Sequence, residues 1–349
     1  MTVVNSPSGL SQGVKMQTFQ AWWVPESGRE DQGGVQTLRI DDLPAGDVLV
    51  RVAYSSVNYK DALAITGQGK ILRRFPIVPG IDAAGVVVAS DQEGVTAGDS
   101  VLITGCGLGE THDGGFAEYV RVPADWVVPL PQGMSPRQAM ALGTAGFTAA
   151  LALIRMEAAG QTPALGDVLV TGASGGVGSI AVNLFSNAGY RVIAVSGKEQ
   201  AEGYLRGLGA AEVVSPDALG LSERPLDRAR FAGVVDNVGG PLLAGLLPQI
   251  EEYGNVASIG LAGGVKLETT VMPWILRGVS MLGISSANCP RPLRLESWRR
   301  LGGDLRPQDP EGFVTREVEL DGLRDAAEAM LARQVTGRTL VRVGGDAVA

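Results

Sequence analysis

The apolar run Val168-Leu169-Val170 passes directly into Thr171-Gly-Ala-Ser-Gly-Gly-Val-Gly-Ser179, and a helical apolar pattern opens within that turn and continues over 177–188. A buried strand that turns through glycine into a helix needs a second, parallel strand to return to. The stretch therefore commits much of the chain to a parallel sheet covered by helices. Small residues let the backbone approach a diphosphate closely, where the free N–H groups and positive end of the helix meet its charge. Ala173 takes the first place of a G-x-G-x-x-G fingerprint, with Gly175 and Gly178 in the second and third. Ser174, Gly175, Gly176 and Val177 are the candidate diphosphate contacts. No Lys-Ser or Lys-Thr pair follows, which excludes a P-loop. In isolation such a turn is equally compatible with a purely structural role.

Its context favours a dinucleotide. A second apolar run at 191–195 follows Gly189 and completes a strand–helix–strand unit of about 30 residues. An enzyme selective for NAD usually carries Asp or Glu at the end of that second strand, to bind the ribose 2′-hydroxyl. Here the place reads Ser196-Gly197-Lys198, a hydroxyl and a cation that suit a 2′-phosphate. NADPH is the expected cofactor; the competing reading makes Lys198 a solvated turn lysine beside Glu199.

The chain has 349 residues, enough for two cores, with 45% hydrophobic residues and 49 glycines. Short β-branched runs at 48–54, 85–89, 100–104 and 116–122, punctuated by Gly, Pro and Asp, suit a small, mostly antiparallel barrel-like domain. A helical stretch starts at Pro136 and runs towards Leu153. Strand runs at 168–171, 192–195, 212–214, 233–236, 256–259 and 280–284, separated by helical segments, describe a complete doubly wound sheet. Helices at 293–301 and 323–332 and a strand at 339–343 then return to the first domain. The expected organisation is a loose tail over 1–15, a barrel-like catalytic domain over 16–143 and 288–349, and a dinucleotide-binding domain over 144–287. The fold class is α/β.

A net charge of −8 argues against nucleic acid or an anionic membrane as the main partner. No uninterrupted apolar run has bilayer-spanning length. The first fifteen residues lack the cationic start and apolar core of a signal peptide, and Met16 is a second candidate start. A cytoplasmic enzyme is expected.

Several separate motifs now converge: Ser56-Val-Asn-Tyr-Lys-Asp-Ala-Leu-Ala-Ile-Thr-Gly67, Pro79-Gly-Ile-Asp82, Gly143-Thr-Ala-Gly-Phe-Thr-Ala149, the turn at Thr171, Gly260-Leu-Ala-Gly-Gly264 and Thr270-Val-Met-Pro273. In this order they resemble the medium-chain dehydrogenase/reductase superfamily, in its zinc-free quinone oxidoreductase branch, and most nearly the acrylyl-CoA reductase subgroup. The resemblance covers nearly all of 16–343. It implies a GroES-like barrel beside a Rossmann domain. It also implies Thr144 near the nicotinamide, Ile275 as an apolar neighbour and Arg338 as a cation on the phosphate side.

Catalytic zinc needs three or four Cys, His or carboxylate ligands. This chain has one histidine, His112, in a turn-like segment, and two cysteines, Cys106 and Cys289, far apart. Where zinc-dependent relatives carry Cys and then His-Glu, this chain resembles them only as Asn58-Tyr59 and Ile81-Asp82. No metal is expected. Oxidising an alcohol would then lack its Lewis acid, whereas reducing a C=C bond conjugated to a carbonyl asks mainly for alignment and polarisation of the oxygen. Tyr59 is the leading candidate to face nicotinamide and substrate, by its phenol, with Asn58 acting through its amide. The alternatives are an aromatic wall and a helix N-cap. Asp61 and Asp82 read as structural carboxylates and Lys60 as a surface cation.

Ligands of open parallel sheets lie over the carboxyl ends of the strands, which adds Asn237, Gly260, Leu261 and Ser286 to the cofactor contacts. A coenzyme A ester would need local cations, for which 70–74 and 291–294 are candidates, each otherwise a solvated basic segment. Competing expectations are reduction of quinones or alkenals, and a non-enzymatic NADPH-binding protein. The strand at 280–284 would form an open sheet edge where a homodimer could pair.

Overall fold

The computed structural model describes residues 17–345; the expected loose tail and Met16 lie outside the described residues. The chain forms two compact units, one of residues up to 144 together with 314 onward, the other of 145–313.

In the first unit, alternating β-branched residues build the strand Val48–Val57, which pairs antiparallel with Asp82–Ser90, Tyr119–Val122 and the C-terminal strand Arg338–Arg342. Val48, Val50 and Val52 share a core with Val87, Val101, Ile103, Val120 and Val122. Leu49 joins a separate core containing Phe19, Trp22, Ile65, Phe116 and Leu323. That second cluster fixes the short helix Tyr59–Thr66, which packs on the helix Leu323–Leu331. The expected strand at 116–122 begins only at Tyr119, because Phe116 and Ala117 pair instead with the strand Thr18–Trp23: Trp22 N–H donates to Phe116 O at 2.8 Å.

In the second unit six parallel strands lie in the order Glu212–Val214, Val192–Val195, Val168–Val170, Phe231–Asp236, Ile250–Ser258 and Ser280–Gly283. This is the doubly wound order 3-2-1-4-5-6, with its switch point between the strands ending at Val170 and Asp236. Ser280–Gly283 is the edge strand, as the sequence suggested.

Two expectations need correction. The helix Arg291–Gly302, which the sequence assigned to the barrel-like domain, packs within the second unit. Its Trp298 stacks on Phe147 at 6.4 Å, the buried Arg294 lies over the same ring at 4.9 Å, and Arg300 pairs with Glu157. The helical stretch Pro136–Ala158 is long and apolar enough, by length and composition, to cross a membrane, contrary to the absence of such a run in the sequence, but it is two helices joined at Gly143, whose φ of +52° and ψ of −152° are not helical. Arg137, Gln138, Thr144 and Thr148 interrupt the run, its average hydropathy stays high all the same, and most of the helical stretch is buried in the protein.

Candidate active site

At the carboxyl end of the parallel sheet, the helix Gly176–Asn187 starts from an extended Gly175, leaving its first N–H groups free of intrahelical partners. A Cβ on Gly178 would stand 2.3 Å from Gly172 O, so glycine is what lets the helix close onto the turn. Thr171 Oγ1 donates to Asp236 Oδ1 at 2.7 Å and accepts from Asn237 N at 2.9 Å, while Asn237 Nδ2 donates to Thr171 O at 2.8 Å. These bonds clamp the glycine-rich turn to the fourth strand across the switch point. The sequence reading left Thr171 and Asp236 out of the site, although a hydroxyl and a carboxylate closing two adjacent core strands were a usable signal. Burial raises the Asp236 pKa, and bonds from Thr171, Gly239 and Val238 oppose it.

Asn237 Oδ1 is buried with no hydrogen-bond partner among the described residues, an unused acceptor at the end of the fourth strand. Ser196 Oγ donates to Ser174 Oγ at 3.1 Å and accepts from Lys198 N at 3.1 Å, which ties the end of the second strand to the glycine turn. Lys198 is half-buried, and that burial lowers the pKa of its ammonium. A phosphate alongside would reverse the shift. The residues of this crevice fit a phosphorylated dinucleotide: backbone donors for the diphosphate, Ser196 and Lys198 for a 2′-phosphate, Gly197 exposed between them. A Cβ on Gly260 would meet Asn237 O at 2.1 Å, so the loops after the fourth and fifth strands run in direct contact. Leu261 and Ile275 are exposed apolar side chains, and Ser286 O accepts from the Arg294 guanidinium at 3.1 Å.

In the first unit the site grows around Asp82, fully buried at the start of its strand. Its carboxylate accepts from Ser56 Oγ at 2.6 Å, Asn58 Nδ2 at 2.8 Å, Thr144 Oγ1 at 2.6 Å and Thr144 N at 3.0 Å, and Arg338 Nη2 lies 3.8 Å away. The carboxylate thus sits on the N-terminus of the helical turns after Gly143, where a negative charge is stabilised. Gly143 makes this approach possible: its φ is +52°, and a Cβ would lie 2.6 Å from Asp82 Oδ2 and 2.8 Å from Arg338 Nη2.

Two sequence expectations are overturned here. Arg338, read as a phosphate-side cation, is only 3% exposed and turned inward. It donates to Ala141 O at 3.1 Å, Asn58 Oδ1 at 3.1 Å and Ser56 Oγ at 2.7 Å, because the buried Asp82 charge demands a counter-ion. Asn58, read as an oxyanion donor, spends its amide hydrogens on Asp61 at 3.1 Å and Asp82 at 2.8 Å, so none remains for a substrate. It stands at the N-cap of the helix Tyr59–Thr66, where Asp61 Oδ2 accepts from its backbone N–H at 2.8 Å. Thr144 likewise gives its hydroxyl proton to Asp82 and keeps only acceptor capacity. Tyr59 differs: the residue is 46% exposed, and its phenol has no hydrogen-bond partner among the described residues.

Burial pushes the Asp61 carboxyl up to about 7, the Asp82 charge adds to this, and bonds from Asn58 and Ile81 oppose it. A folded-state value above the unfolded one means that the folded protein binds more protons between about pH 4 and 7, so this group's stabilisation falls as pH rises through that window. In denaturant unfolding, the difference in stability between the unaltered protein and Asp61→Asn should therefore shrink by up to a few kcal/mol from pH 5 to pH 8. A difference that stays constant with pH would remove Asp61 from this account.

The donor set does not fit catalytic zinc. Among the described residues no three His, Cys, Asp or Glu side chains gather as ligands, and Arg338 already neutralises Asp82. His112 packs edge-on against Trp126 at 5.2 Å, with Nδ1 3.0 Å from Asp113 O.

A barrel-like unit joined to a 3-2-1-4-5-6 sheet with a glycine-rich first turn defines a dinucleotide-dependent dehydrogenase or reductase. The sequence matches the alcohol dehydrogenase GroES-like domain over residues 44–132 and the family called zinc-binding dehydrogenase over residues 176–300. It is 49% identical over 328 residues to the probable acrylyl-CoA reductase AcuI of Escherichia coli K12, covering 93% of this chain and 100% of that one. The structure of the yhdH oxidoreductase from Salmonella enterica in complex with NADP shares 50% identity at a TM-score of 0.89, covering 93% of this chain and 99% of that one. That of Bacillus subtilis yhfP with NAD bound shares 44% at a TM-score of 0.89, with the same coverages. The chain belongs to the medium-chain dehydrogenase/reductase superfamily, with a GroES-like and a Rossmann-type unit.

Proposed function

We propose that this protein is an NADPH-dependent, zinc-independent reductase of activated C=C bonds that converts acryloyl-CoA to propanoyl-CoA. When bound, the reduced nicotinamide would supply the hydride that the β carbon of the alkene accepts, and a proton from a donor or water completes the α carbon. The N–H groups of Ser174 to Val177 hold the diphosphate, Ser196, Gly197 and Lys198 hold the 2′-phosphate, and Asn237, Gly260, Leu261, Ile275, Ser286 and the Thr144 oxygen border the rest of the cofactor. The Tyr59 phenol donates to the carbonyl oxygen as enolate charge gathers there, or holds the nicotinamide ribose. The observation that carries the reading is the buried Asp82–Arg338 pair, in which the guanidinium neutralises the carboxylate that stands where zinc-dependent relatives carry His-Glu, so that neither charge is free to meet a forming enolate. The similarity to a relative named acrylyl-CoA reductase supports the substrate.

The test is NADPH oxidation with acryloyl-CoA beside crotonyl-CoA, alkenals and quinones. The expected result is highest kcat/KM on acryloyl-CoA; faster turnover of uncharged acceptors would make this a quinone or alkenal reductase, and NADPH binding without any turnover would make it a non-enzymatic binding protein. We further infer a cytoplasmic homodimer paired along Ser280–Gly283, beside the exposed Val271, Ile275 and Leu276. Sedimentation at twice the chain mass is expected, and a monomer would refute the pairing.

A further inference from the structure

We propose that the segment around Lys70, Arg73 and Arg74 in the first unit grips the phosphates of the coenzyme A tail. The inference deepens the proposed function and rests on the substrate being a coenzyme A thioester.

The chain is acidic, yet between residues 52 and 81 it carries four cations, Lys60, Lys70, Arg73 and Arg74, against one acid, Asp61, which is buried and committed to Asn58 and Ile81. Charge segregation of this kind raises the local concentration of anions. The fold holds Lys60, Arg73 and Arg74 against one segment, residues 110–113, whose Glu110 and Asp113 offset two of these charges, and Lys70 lies three residues before Arg73 on the same connection. Lys60 Nζ pairs with Glu110 at 2.9 Å, the Arg73 N–H donates to Glu110 O at 2.8 Å, and Arg74 lies 3.9 Å from the mostly buried Asp113. These bonds fix the backbone without using the exposed Lys70 ammonium or Arg73 guanidinium, neither of which has a side-chain partner among the described residues. Tyr59, the proposed substrate contact, precedes Lys60 on the same first helical turn. The basic segment therefore begins one residue from the reacting end of the substrate, and a thioester whose acyl group meets Tyr59 can extend its phosphorylated tail along it. Arginine forks suit phosphate oxygens bidentately, and lysine serves as a point charge. The other basic segment considered, Arg291 to Arg294, cannot serve in the same way, because Arg294 is buried over Phe147.

The test is calorimetric binding of coenzyme A, 3′-dephospho-CoA and pantetheine to protein saturated with NADP+. Arg73→Glu and Lys70→Glu should each weaken coenzyme A by about tenfold or more, the range that charge-assisted bonds to phosphate command. Arg224→Glu, the same charge change on an exposed loop of the second unit, should leave it alone. Affinity should fall from coenzyme A to pantetheine and with added salt. Unchanged coenzyme A binding in Arg73→Glu and Lys70→Glu, or equal binding of pantetheine, would overturn the inference. Coenzyme A binding that depends on these residues in a protein that reduces no acryloyl-CoA would uphold the site and sink the proposed activity, so the two fail separately.

Discussion

Replacing Arg338 by methionine should destabilise the protein by about 3–5 kcal/mol, because it leaves the carboxylate of Asp82 buried without its counter-ion. The substitution also strips donors from Ala141 O, Asn58 Oδ1 and Ser56 Oγ, and the methionine cannot return any of them. In a thermal melt the first transition should fall by roughly 10 °C, with the equivalent change at the exposed Arg342 costing about 0.5 kcal/mol or less. Asp82→Asn combined with Arg338→Met should cost less than the sum of the two, since the pair shares one network. A melting temperature for Arg338→Met within a degree or two of the unaltered protein would mean that Asp82 is not held as a buried anion. The whole reading of the metal-free site would then lose its footing.

Ser196→Asp with Lys198→Ala should reverse the cofactor preference. Each charge-assisted bond to the 2′-phosphate contributes about 1.5–3 kcal/mol, and the new carboxylate adds repulsion, so NADPH should weaken by about a hundredfold or more. NADH, which offers a ribose hydroxyl to the same aspartate, should bind as well as before or better. Fluorescence titration with both dinucleotides reads this directly. The comparison matters because one relative of 44% identity was crystallised with NAD bound and another of 50% with NADP, so family membership leaves the choice to residues such as these. A variant that still prefers NADPH would show that the 2′-phosphate is recognised elsewhere.

The cofactor crevice was legible in the sequence because its determinants are local. A strand, a glycine-rich turn and a helix follow one another within twenty residues, and Ser196 to Lys198 close the next strand. The six strands of the parallel sheet and the edge position of the last were legible from their spacing, whereas their order comes from the pairing itself. The first unit was less legible, because its site joins residues far apart in the chain. Arg338 meets Asn58 across 280 positions, and nothing in Gly337-Arg-Thr339 says whether its guanidinium faces water or a buried carboxylate. Asn58 was recognised both as a possible donor and as a helix cap, and only the positions of Asp61 and Asp82 decide between them. The helix Arg291–Gly302 was misassigned for a similar reason: the partner of Trp298 is Phe147, which lies on the other side of the parallel sheet in sequence.

The most direct measurement is the fate of a labelled hydrogen. Protein incubated with acryloyl-CoA and NADPH deuterated at nicotinamide C4, on one face and then the other, should yield propanoyl-CoA carrying one deuterium at the β carbon from one of the two labelled forms. Mass spectrometry and NMR locate it. No propanoyl-CoA, or product with deuterium from neither form, would contradict the account.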